Sequence, residues 1–572
     1  MKRLALLLLL AIFGVAALWW LLMRPQSSDI TDLAQSSSLP LGDVSSQIIA
    51  QTDLPPEGTR SLFDHLLAQS DGLTFPFENL VASLQDAAPT DDAPLAVMIP
   101  LGRSLLKASA DFDKPRVVFA TDYHASNTPA SLGIAPRGQL FLGFTEGANE
   151  IEVISYNELA GRFEFQLVQN YCEACVPRIV YARRDICLTC HQGGSPIFSV
   201  RPWQETNAQP EISQRIVQAR GDAPYLAVDP VQPLSSPQRI DELTDVGNFI
   251  NVLQRIWLDG CGENGTACRR HMLALALLFL DDPASFDASS QASHSLFELQ
   301  ALHWPAQGIP VPDNDLANRN PLGETQPLLA RFKSLFSDQG PALARAKDNE
   351  DLETFNQLPP LPSDLDPLTR RPPKRVLTPN DPDGVYALAQ MFTDADRDTL
   401  LAASGNNWSR TIESARSIPD DFFAARPFSR VRTMQALLEA TQNGRANALQ
   451  YCCLSTEEMS PPVAASVPPL EIAEGSELEA FEKYCFACHR GNPAARLNFM
   501  GGKDEVEVKS RIRETDKIRE VLDWERYRDT DKLSTLMPPV DSEQRRTMEA
   551  ALAQHPKLLE EMRDMVPALF DF

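Results

Sequence analysis

The spacing of apolar positions changes twice along the chain. From Thr59 to Ala110, segments such as SLFDHLLAQ and LVASLQDA carry apolar residues at helical spacing. From Pro115 the period falls to two, which predicts five strands: RVVFATDY, GQLFLGFT, EIEVISYN, RFEFQLVQNY and RIVYAR. Helical spacing returns over Thr206–Leu280, where CRRHMLALALLFL predicts a buried helix. The pattern therefore predicts an antiparallel meander with helical regions on either side of it.

The strand RFEFQLVQNY shows this alternation clearly. Phe163, Phe165 and Leu167 alternate with Glu164 and Gln166. Because successive side chains of a strand point to opposite faces, one face of this strand is predicted to be buried. A hairpin turn over 157–161 joins it to the preceding strand.

Polar residues at fixed offsets predict where later helices begin. Thr393 opens the T-x-x-D of a capped helix, and Ser476 opens the S-x-x-E of a capping box. Asp541, with Gln544 three residues later, marks another helix directly after LSTLMPPV. These signals predict a helical middle region and a helical C-terminal region.

The first 25 residues differ in character from the rest. Lys2 and Arg3 precede an uncharged run, Leu4–Met23, which is long enough to span a bilayer as a helix. Trp19 and Trp20 follow the small-residue stretch, which favours an uncleaved anchor over a cleaved signal peptide. The basic start places the bulk of the chain in the periplasm, tethered to the cell inner membrane by a single pass.

The amino-acid composition and net charge exclude some classes of binding partner. The chain has 572 residues, of which 43% are apolar and 23% charged, as in soluble globular proteins. Its net charge of −25 argues against nucleic acid as a partner and against binding of the body to anionic lipid. The 45 prolines predict many irregular connections.

The strongest chemical signal is a repeated five-residue motif. Cys187, Cys190 and His191 spell C-x-x-C-H, and the pattern returns once, at 485–489. With 10 Cys and 8 His in the chain, chance alone gives about 0.002 copies. C-x-x-C-H is the attachment signal for c-type haem, in which two thiols form thioethers and the histidine binds the iron. Two copies predict two covalently bound haem c groups.

The first copy leaves other readings open. Cys172 and Cys175 precede it and complete C-x2-C-x11-C-x2-C, which resembles a zinc ribbon over 172–190. Each C-x-x-C is also compatible with a disulfide or a redox dithiol. The histidine directly after Cys190 and the export signal both favour haem. The segment CLTCHQGGSPIFSVRPWQETN is similar to haem segments of large exported bacterial cytochrome-like proteins of unassigned role, and that resemblance implies no specific activity.

The C-terminal region carries a second resemblance. A capped helix leading into C-x-x-C-H, then Met-Pro, then a closing helix makes Ser476–Phe572 similar to class I cytochromes c. The resemblance implies that Cys485 and Cys488 form the thioethers, that His489 is the proximal iron ligand and that Met537 is the distal ligand. His/Met ligation raises the reduction potential, which suits electron transfer.

Several residues compete for axial positions. At the second haem, the rivals of Met537 are Met500, Met548, Met562 and Met565. At the first haem no Met-Pro loop can be assigned, and the candidates for the sixth position are His124, His271, Met272, His294 and His303.

The remaining cysteines fall into close pairs. These are Cys172 with Cys175, Cys261 with Cys268, and the adjacent Cys452 and Cys453. An oxidising compartment favours disulfides, and Cys261–Cys268, which flank the turn-like GENGTA, are the best candidate. Connectivity cannot be deduced from the sequence alone.

Together these patterns predict an α+β multidomain protein. Its expected parts are an anchor helix, a mixed antiparallel β and helical first-haem domain, a helical middle region and an all-α cytochrome c domain. The expected boundaries are 1–25 for the signal anchor, 26–58 for a tether, 59–345 for the first-haem domain, 346–470 for a Pro-rich connector and helical region, and 471–572 for the cytochrome c-like domain.

The sequence favours an electron-transferring dihaem cytochrome with a redox protein partner. One alternative is a haem-dependent oxidoreductase, related by analogy to two-haem peroxidases and oxygenases, with an open position at the first haem. Another is a tethered scaffold with a zinc site. No catalytic residue can be named, because no acid–base pair adjoins the first motif.

Overall fold

A six-stranded antiparallel meander organises the N-terminal half of the protein, as seen in a computed structural model. Each strand pairs with the next one along the chain. The strands are β1 (Leu95–Ile99), β2 (Arg116–Ala120), β3 (Leu140–Phe144), β4 (Glu150–Asn157), β5 (Arg162–Gln169) and β6 (Arg178–Tyr181). The five predicted strands are present, and the turn between β4 and β5 closes through the Gly161 N–H and the Asn157 carbonyl at 2.9 Å.

The structure describes the following residues: 53–87, 95–101, 110–120, 138–188, 190–199, 203–231, 235–313, 315–316, 320–324, 372–442, 456–457, 459–465, 470, 472–473, 475–490, 500–502, 504–513, 515, 517–527, 536–538 and 543–566.

The strand β1 was not predicted. Its sequence, LAVMI, falls in a stretch that we expected to be helical, and all five of its residues are buried. A short run of apolar residues has no period, so sequence alone cannot separate a buried strand from a buried helix.

Helices surround the sheet and fill the middle of the chain. They are α1 (Leu62–Ala68), α2 (Phe77–Ala87), α3 (Arg184–Cys187), α4 (Pro210–Arg220), α5 (Ser235–Arg255), α6 (Thr266–Asp281), α7 (Gln291–Ala301), α8 (Pro321–Glu324), α9 (Asp383–Gln390), α10 (Asp394–Ala403), α11 (Trp408–Ser417) and α12 (Arg430–Gln442). A π-helical turn, Ile256–Gly260, follows α5 directly. The predicted buried helix corresponds to α6, which packs against α9 and α11 in a shared apolar core.

Two small sheets complete this part. The strands β7 (Phe198–Ser199) and β9 (Asp315–Leu316) are parallel, whereas β8 (Ile309–Val311) and β10 (Arg375–Leu377) are antiparallel.

Both faces of β5 are buried. The apolar face packs as predicted, but Glu164 and Gln166 on the other face are each only 1% exposed. The helix α1 covers them: Gln166 donates to the Asp64 carboxylate at 2.8 Å and accepts from the Ser61 hydroxyl at 2.7 Å. Polar side chains are retained in this interface because each finds a hydrogen-bond partner.

The C-terminal region is helical in its described parts and has a core of its own. Its helices are α13 (Glu479–Tyr484), α14 (Phe486–His489), α15 (Glu505–Arg513), α16 (Lys517–Val521), α17 (Trp524–Tyr527), α18 (Glu543–Leu552) and α19 (Leu558–Asp564). The helix α13 packs on both α18 and α19, so the first and last elements of this region are in contact.

The predicted helix starts have different outcomes. Thr393 and Asp396 form a full capping box at the start of α10, and Asp396 also pairs with Arg430 of α12 at 2.7 Å. The capping box at Ser476 is wrong, because α13 starts at Glu479 and the Ser476 hydroxyl accepts from the Leu478 N–H instead. Asp541 lies outside the described residues.

Within the described ranges, no helix is long and apolar enough to cross a membrane. The predicted anchor at 1–25 and most of the tether at 26–58 lie outside those ranges.

Candidate haem sites

The first C-x-x-C-H motif begins at Cys187, the last residue of the short helix α3, just beyond β6. The N–H groups of Cys190 and His191 both point to the Cys187 carbonyl, at 3.3 and 2.9 Å. This single helical turn places positions i, i+3 and i+4 on one face. The two thiols and the imidazole of the motif therefore share one side of the turn.

The second motif closes the same turn in a different setting. The N–H groups of Cys488 and His489 point to the Cys485 carbonyl, at 3.1 and 2.9 Å. Here the motif follows α13 within a helical region, whereas the first motif follows a strand. The shared geometry belongs to the motif itself rather than to its surroundings.

The four motif cysteines are thiols in the structure. By contrast, Cys172 with Cys175 and Cys261 with Cys268 lie at disulfide distance. Burial raises the pKa of the Cys485 thiol to about 12 and keeps it protonated. A thioether needs a thiol rather than half a disulfide, and the motif cysteines meet that requirement. Cys452 and Cys453 lie outside the described residues.

The ring of His191 is oriented by a backbone carbonyl. Its Nδ1 lies 2.9 Å from the Ser195 carbonyl oxygen, and because a carbonyl only accepts, Nδ1 carries the proton. Burial lowers the pKa of His191 to about 4, so the ring is neutral and Nε2 carries the lone pair. A metal-binding histidine typically donates its other N–H in this way.

The helix α5 holds the loop that follows His191. The Ser195 hydroxyl donates to Asn248 Oδ1 at 2.6 Å, and Asn251 Nδ2 donates to the Gly193 carbonyl at 3.0 Å. Asn248 and Asn251 are three residues apart, on the same face of α5. Sequence reasoning missed both residues, because a hydrogen bond through a backbone carbonyl leaves no local signal.

An aromatic ring and a buried cation lie beside His191. The ring centroids of Phe165 and His191 are 5.3 Å apart. The Arg184 guanidinium lies over the Phe165 ring, 5.3 Å from its centroid. Burial lowers the pKa of Arg184 to about 10, so it stays charged at neutral pH. Glu164, at 3.7 Å, is its buried counter-charge.

The backbone of Met537 is fixed on both sides. Its N–H donates to the Val521 carbonyl at 2.9 Å, and its carbonyl accepts from the Trp524 indole at 2.9 Å. The Arg545 guanidinium stacks on Trp524, 3.3 Å from the ring centroid, and supports the same loop. Met537 itself is half-buried.

The rival methionines are part of the domain core. Met500, Met548 and Met562 are fully buried in the C-terminal apolar cluster, and Met565 packs against it. The backbone N–H of Met500 donates to the His489 carbonyl at 3.0 Å, next to the second motif. The structure thus separates Met537 from the methionines that fill the core.

The described candidates for the sixth position at the first motif have other contacts. Met272 is buried in the core around α6, and His271 Nε2 lies 2.7 Å from the Ala292 carbonyl. His294 packs edge-on against Phe297, and His303 packs against Gly262. His124 lies outside the described residues.

The two motifs, separated by about half of the sequence, meet in the structure. The helices α3 and α14 are in contact, with Cα atoms within 8 Å. The Pro-rich connector before the C-terminal region pairs with the edge of β6: the Tyr181 N–H donates to the Val463 carbonyl at 2.7 Å, and the Ala465 N–H donates to the Tyr181 carbonyl at 2.8 Å. Nothing in the sequence predicted this adjacency.

The described residues include no group of three or more His, Cys, Asp or Glu side chains placed to hold a metal ion. Cys172 and Cys175, which complete the four-cysteine spacing in the sequence, lie at disulfide distance from each other.

No family model matches the chain, and no curated protein or solved structure matches it either.

Proposed function

We propose that this protein is a dihaem c-type cytochrome that transfers electrons through two covalently attached haems lying side by side. A bound haem iron stores one electron by alternating between the ferric and ferrous states. The proposal rests on one observation above all: α3, which ends at the first cysteine of one C-x-x-C-H motif, is in contact with α14, which contains most of the other motif. Adjacent one-electron centres favour passage of an electron from one to the other.

At each proposed site, two cysteines would attach the haem and the adjacent histidine would be the proximal iron ligand. Cys187 and Cys190 would hold the first haem, and the neutral Nε2 of His191 would be its proximal ligand. The Ser195 carbonyl orients that ring, which supports the assignment.

At the second site, Cys485 and Cys488 would hold the haem and His489 would be the proximal ligand. Met537 would be the distal ligand. Two hydrogen bonds fix the backbone of Met537, and its side chain is not among those of the C-terminal apolar cluster. Both observations support Met537 over its rivals.

The sequence supports a proposal for the cellular location and the partner of this cytochrome. Lys2, Arg3 and the apolar run after them support an uncleaved anchor in the inner membrane, with the body in the periplasm. The net charge of −25 favours a redox protein partner that presents a basic face.

Haem counting on the full chain tests this proposal. Wild type should carry two haems per chain, and the double variants Cys187→Ser/Cys190→Ser and Cys485→Ser/Cys488→Ser should carry one each. The matched control is Cys172→Ser/Cys175→Ser, which removes a C-x-x-C pair and should keep both haems. One haem together with one zinc ion in wild type would contradict the proposal.

A second candidate function is small-molecule chemistry at the first haem. It is favoured by the placement of Met272, His271, His294 and His303, each engaged in other contacts. Carbon monoxide added to the reduced protein distinguishes the two functions. A carrier leaves the spectrum of the first haem unchanged, whereas stoichiometric binding at that haem would make the oxidoreductase the better account.

A further inference from the structure

A second cysteine pair lies at the tip of the hairpin between β5 and β6. The Cα atoms of Cys172 and Cys175 are 5.2 Å apart, and the Cys175 N–H donates to the Cys172 carbonyl at 3.1 Å. The backbone therefore closes this turn independently of the sulfur atoms. When the disulfide is reduced, the hairpin still holds the two thiols close together.

The two disulfides of the described structure differ in exposure. Cys261 and Cys268 are 0% and 1% exposed and belong to the core around α6. In the hairpin, Cys172 is half-buried, whereas Cys175 and the two residues between them are exposed. Buried disulfides resist exchange because no thiolate reaches them, whereas exposed ones are more readily exchanged. Only the hairpin sulfurs of these two pairs are open to a partner in the folded state.

Apolar side chains border the exposed disulfide. Val176, directly after Cys175, is 84% exposed. On the other side, Phe75 is 43% exposed and packs on Tyr171 with ring centroids 5.4 Å apart. Tyr171 is buried, and its hydroxyl donates to the Thr74 carbonyl at 2.6 Å, which fixes the chain just before Cys172. These two side chains leave apolar surface accessible to a partner close to the exposed disulfide.

We propose that Cys172 and Cys175 form a thiol–disulfide exchange site for a protein that carries a dithiol. The partner's thiolate attacks Cys175 Sγ, the more exposed sulfur. The Cys172–Cys175 bond breaks, a mixed disulfide forms, and Cys172 leaves as a thiolate that takes up a proton. The partner's second thiol then attacks the mixed disulfide and releases Cys175 as a thiol. The partner ends as a disulfide, and the hairpin has gained two electrons and two protons.

This activity is separate from the proposed electron transfer. The hairpin tip and the first haem motif lie at opposite ends of β6, and the exchange moves an electron pair between sulfur atoms only. The thiol–disulfide exchange proposal can therefore be confirmed or refuted whether or not the protein binds haem.

The test uses the full-length protein and a thioredoxin variant that keeps only its attacking cysteine. We expect a one-to-one covalent adduct that mass mapping places on Cys175 and that Cys175→Ser abolishes. Cys261 and Cys268 should remain unmodified. An adduct found only on Cys261 or Cys268, or no adduct with wild type, would overturn the proposal.

A second measurement separates the docking surface from simple reactivity of the disulfide. Val176→Thr keeps the shape of the side chain but replaces one methyl group by a hydroxyl group, and we expect the thioredoxin adduct to form several-fold more slowly. The matched control is Val231→Thr, at a valine that is 66% exposed elsewhere, and its rate should be unchanged. Reduction by dithiothreitol, which needs no docking surface, should be equally fast in both variants. Equal adduct rates in both variants would refute a role for the apolar border.

Discussion

At the first motif, a single carbonyl group determines which nitrogen of a histidine is available. The Ser195 carbonyl accepts from His191 Nδ1, and Asn248 in turn accepts from the Ser195 hydroxyl. A hydrogen bond to Nδ1 makes the imidazole more basic and so stabilises the ferric state. The properties of the proposed first haem thus depend on a helix that is distant in sequence.

Asn248→Ala should therefore change the first haem without removing it. Loss of the acceptor loosens the Ser195 loop and weakens the hydrogen bond to His191. We expect the potential of that haem to rise by on the order of tens of millivolts, measured by spectroelectrochemistry. The second haem is the internal control and should keep its potential. A variant in which both potentials are unchanged would show that the loop does not tune the iron.

Met537→Ala tests the distal ligand of the second haem. Removal of a soft neutral ligand should abolish the thioether-to-iron charge-transfer band and lower the potential by on the order of a hundred millivolts. Met500→Ala is the matched control and should destabilise the core while it leaves the band in place. The reverse outcome would transfer the assignment to Met500.

His65 predicts a pH dependence of stability. It is 3% exposed, and burial together with the nearby Arg60 lowers its pKa to about 4. The unfolded chain therefore takes up this proton first, and the free energy of unfolding should fall as pH falls from 6.5 towards 4. A shift of this size corresponds to about 3 kcal/mol over the window.

Urea unfolding at several pH values checks this. His65→Gln should flatten the slope between the two pKa values, whereas His555→Gln, at an exposed side chain, should leave it unchanged. A slope that survives in His65→Gln would assign the pH dependence to another group.

At the scale of elements, prediction succeeded where one physical signal dominated. The alternating residues of β4 and β5 and the T-x-x-D at Thr393 are local, and both appear as expected. Glu164 and Gln166 are polar yet buried. Glu164 pairs with Arg162 on the same strand at 2.9 Å, whereas α1 supplies the partner of Gln166 from about a hundred residues earlier in the chain. The alternation of apolar and polar residues identifies a strand. It does not show which distant element packs on the polar face of that strand.

The connector on the edge of β6 is an element that exists only through long-range contacts. Ala465→Pro removes the N–H that donates to the Tyr181 carbonyl, and its loss should loosen the C-terminal region from the sheet. We expect faster proteolysis within 459–470, measured by limited elastase digestion, which cleaves after small residues such as those at 463–465. We also expect slower electron exchange between the proposed haems, measured by flash photolysis. Val463→Pro places the same ring nearby without removing that donor and should resemble wild type. Equal behaviour of the two variants would show that this pairing does not dock the region.

For the whole molecule, the sequence shows the two C-x-x-C-H motifs but not that they adjoin. Each motif is a local turn, so Cys187, Cys190, Cys485 and Cys488 could be proposed as haem-binding residues from the sequence alone. The contact between α3 and α14 depends on the packing of the entire chain, and no periodicity encodes it.

The contact between α3 and α14 predicts a specific circular dichroism signal if both motifs carry haem. Two haems in close proximity couple electronically, so the Soret circular dichroism of wild type should show a split signal. Each double variant that keeps a single haem should show an unsplit band, and the two spectra should not sum to that of wild type. A wild-type spectrum equal to that sum would indicate that the haems lie apart.

The same contact constrains the order in which the molecule matures. Each motif turn closes within five residues, so it forms early and at little entropic cost. Bringing α3 to α14 closes a loop of about half the chain, and contacts at such separation form slowly. The two motif turns are therefore formed long before they meet. Under the proposed function, haem would be attached at both turns while the chain is still unfolded, and the two haems would become neighbours only in the last steps of folding.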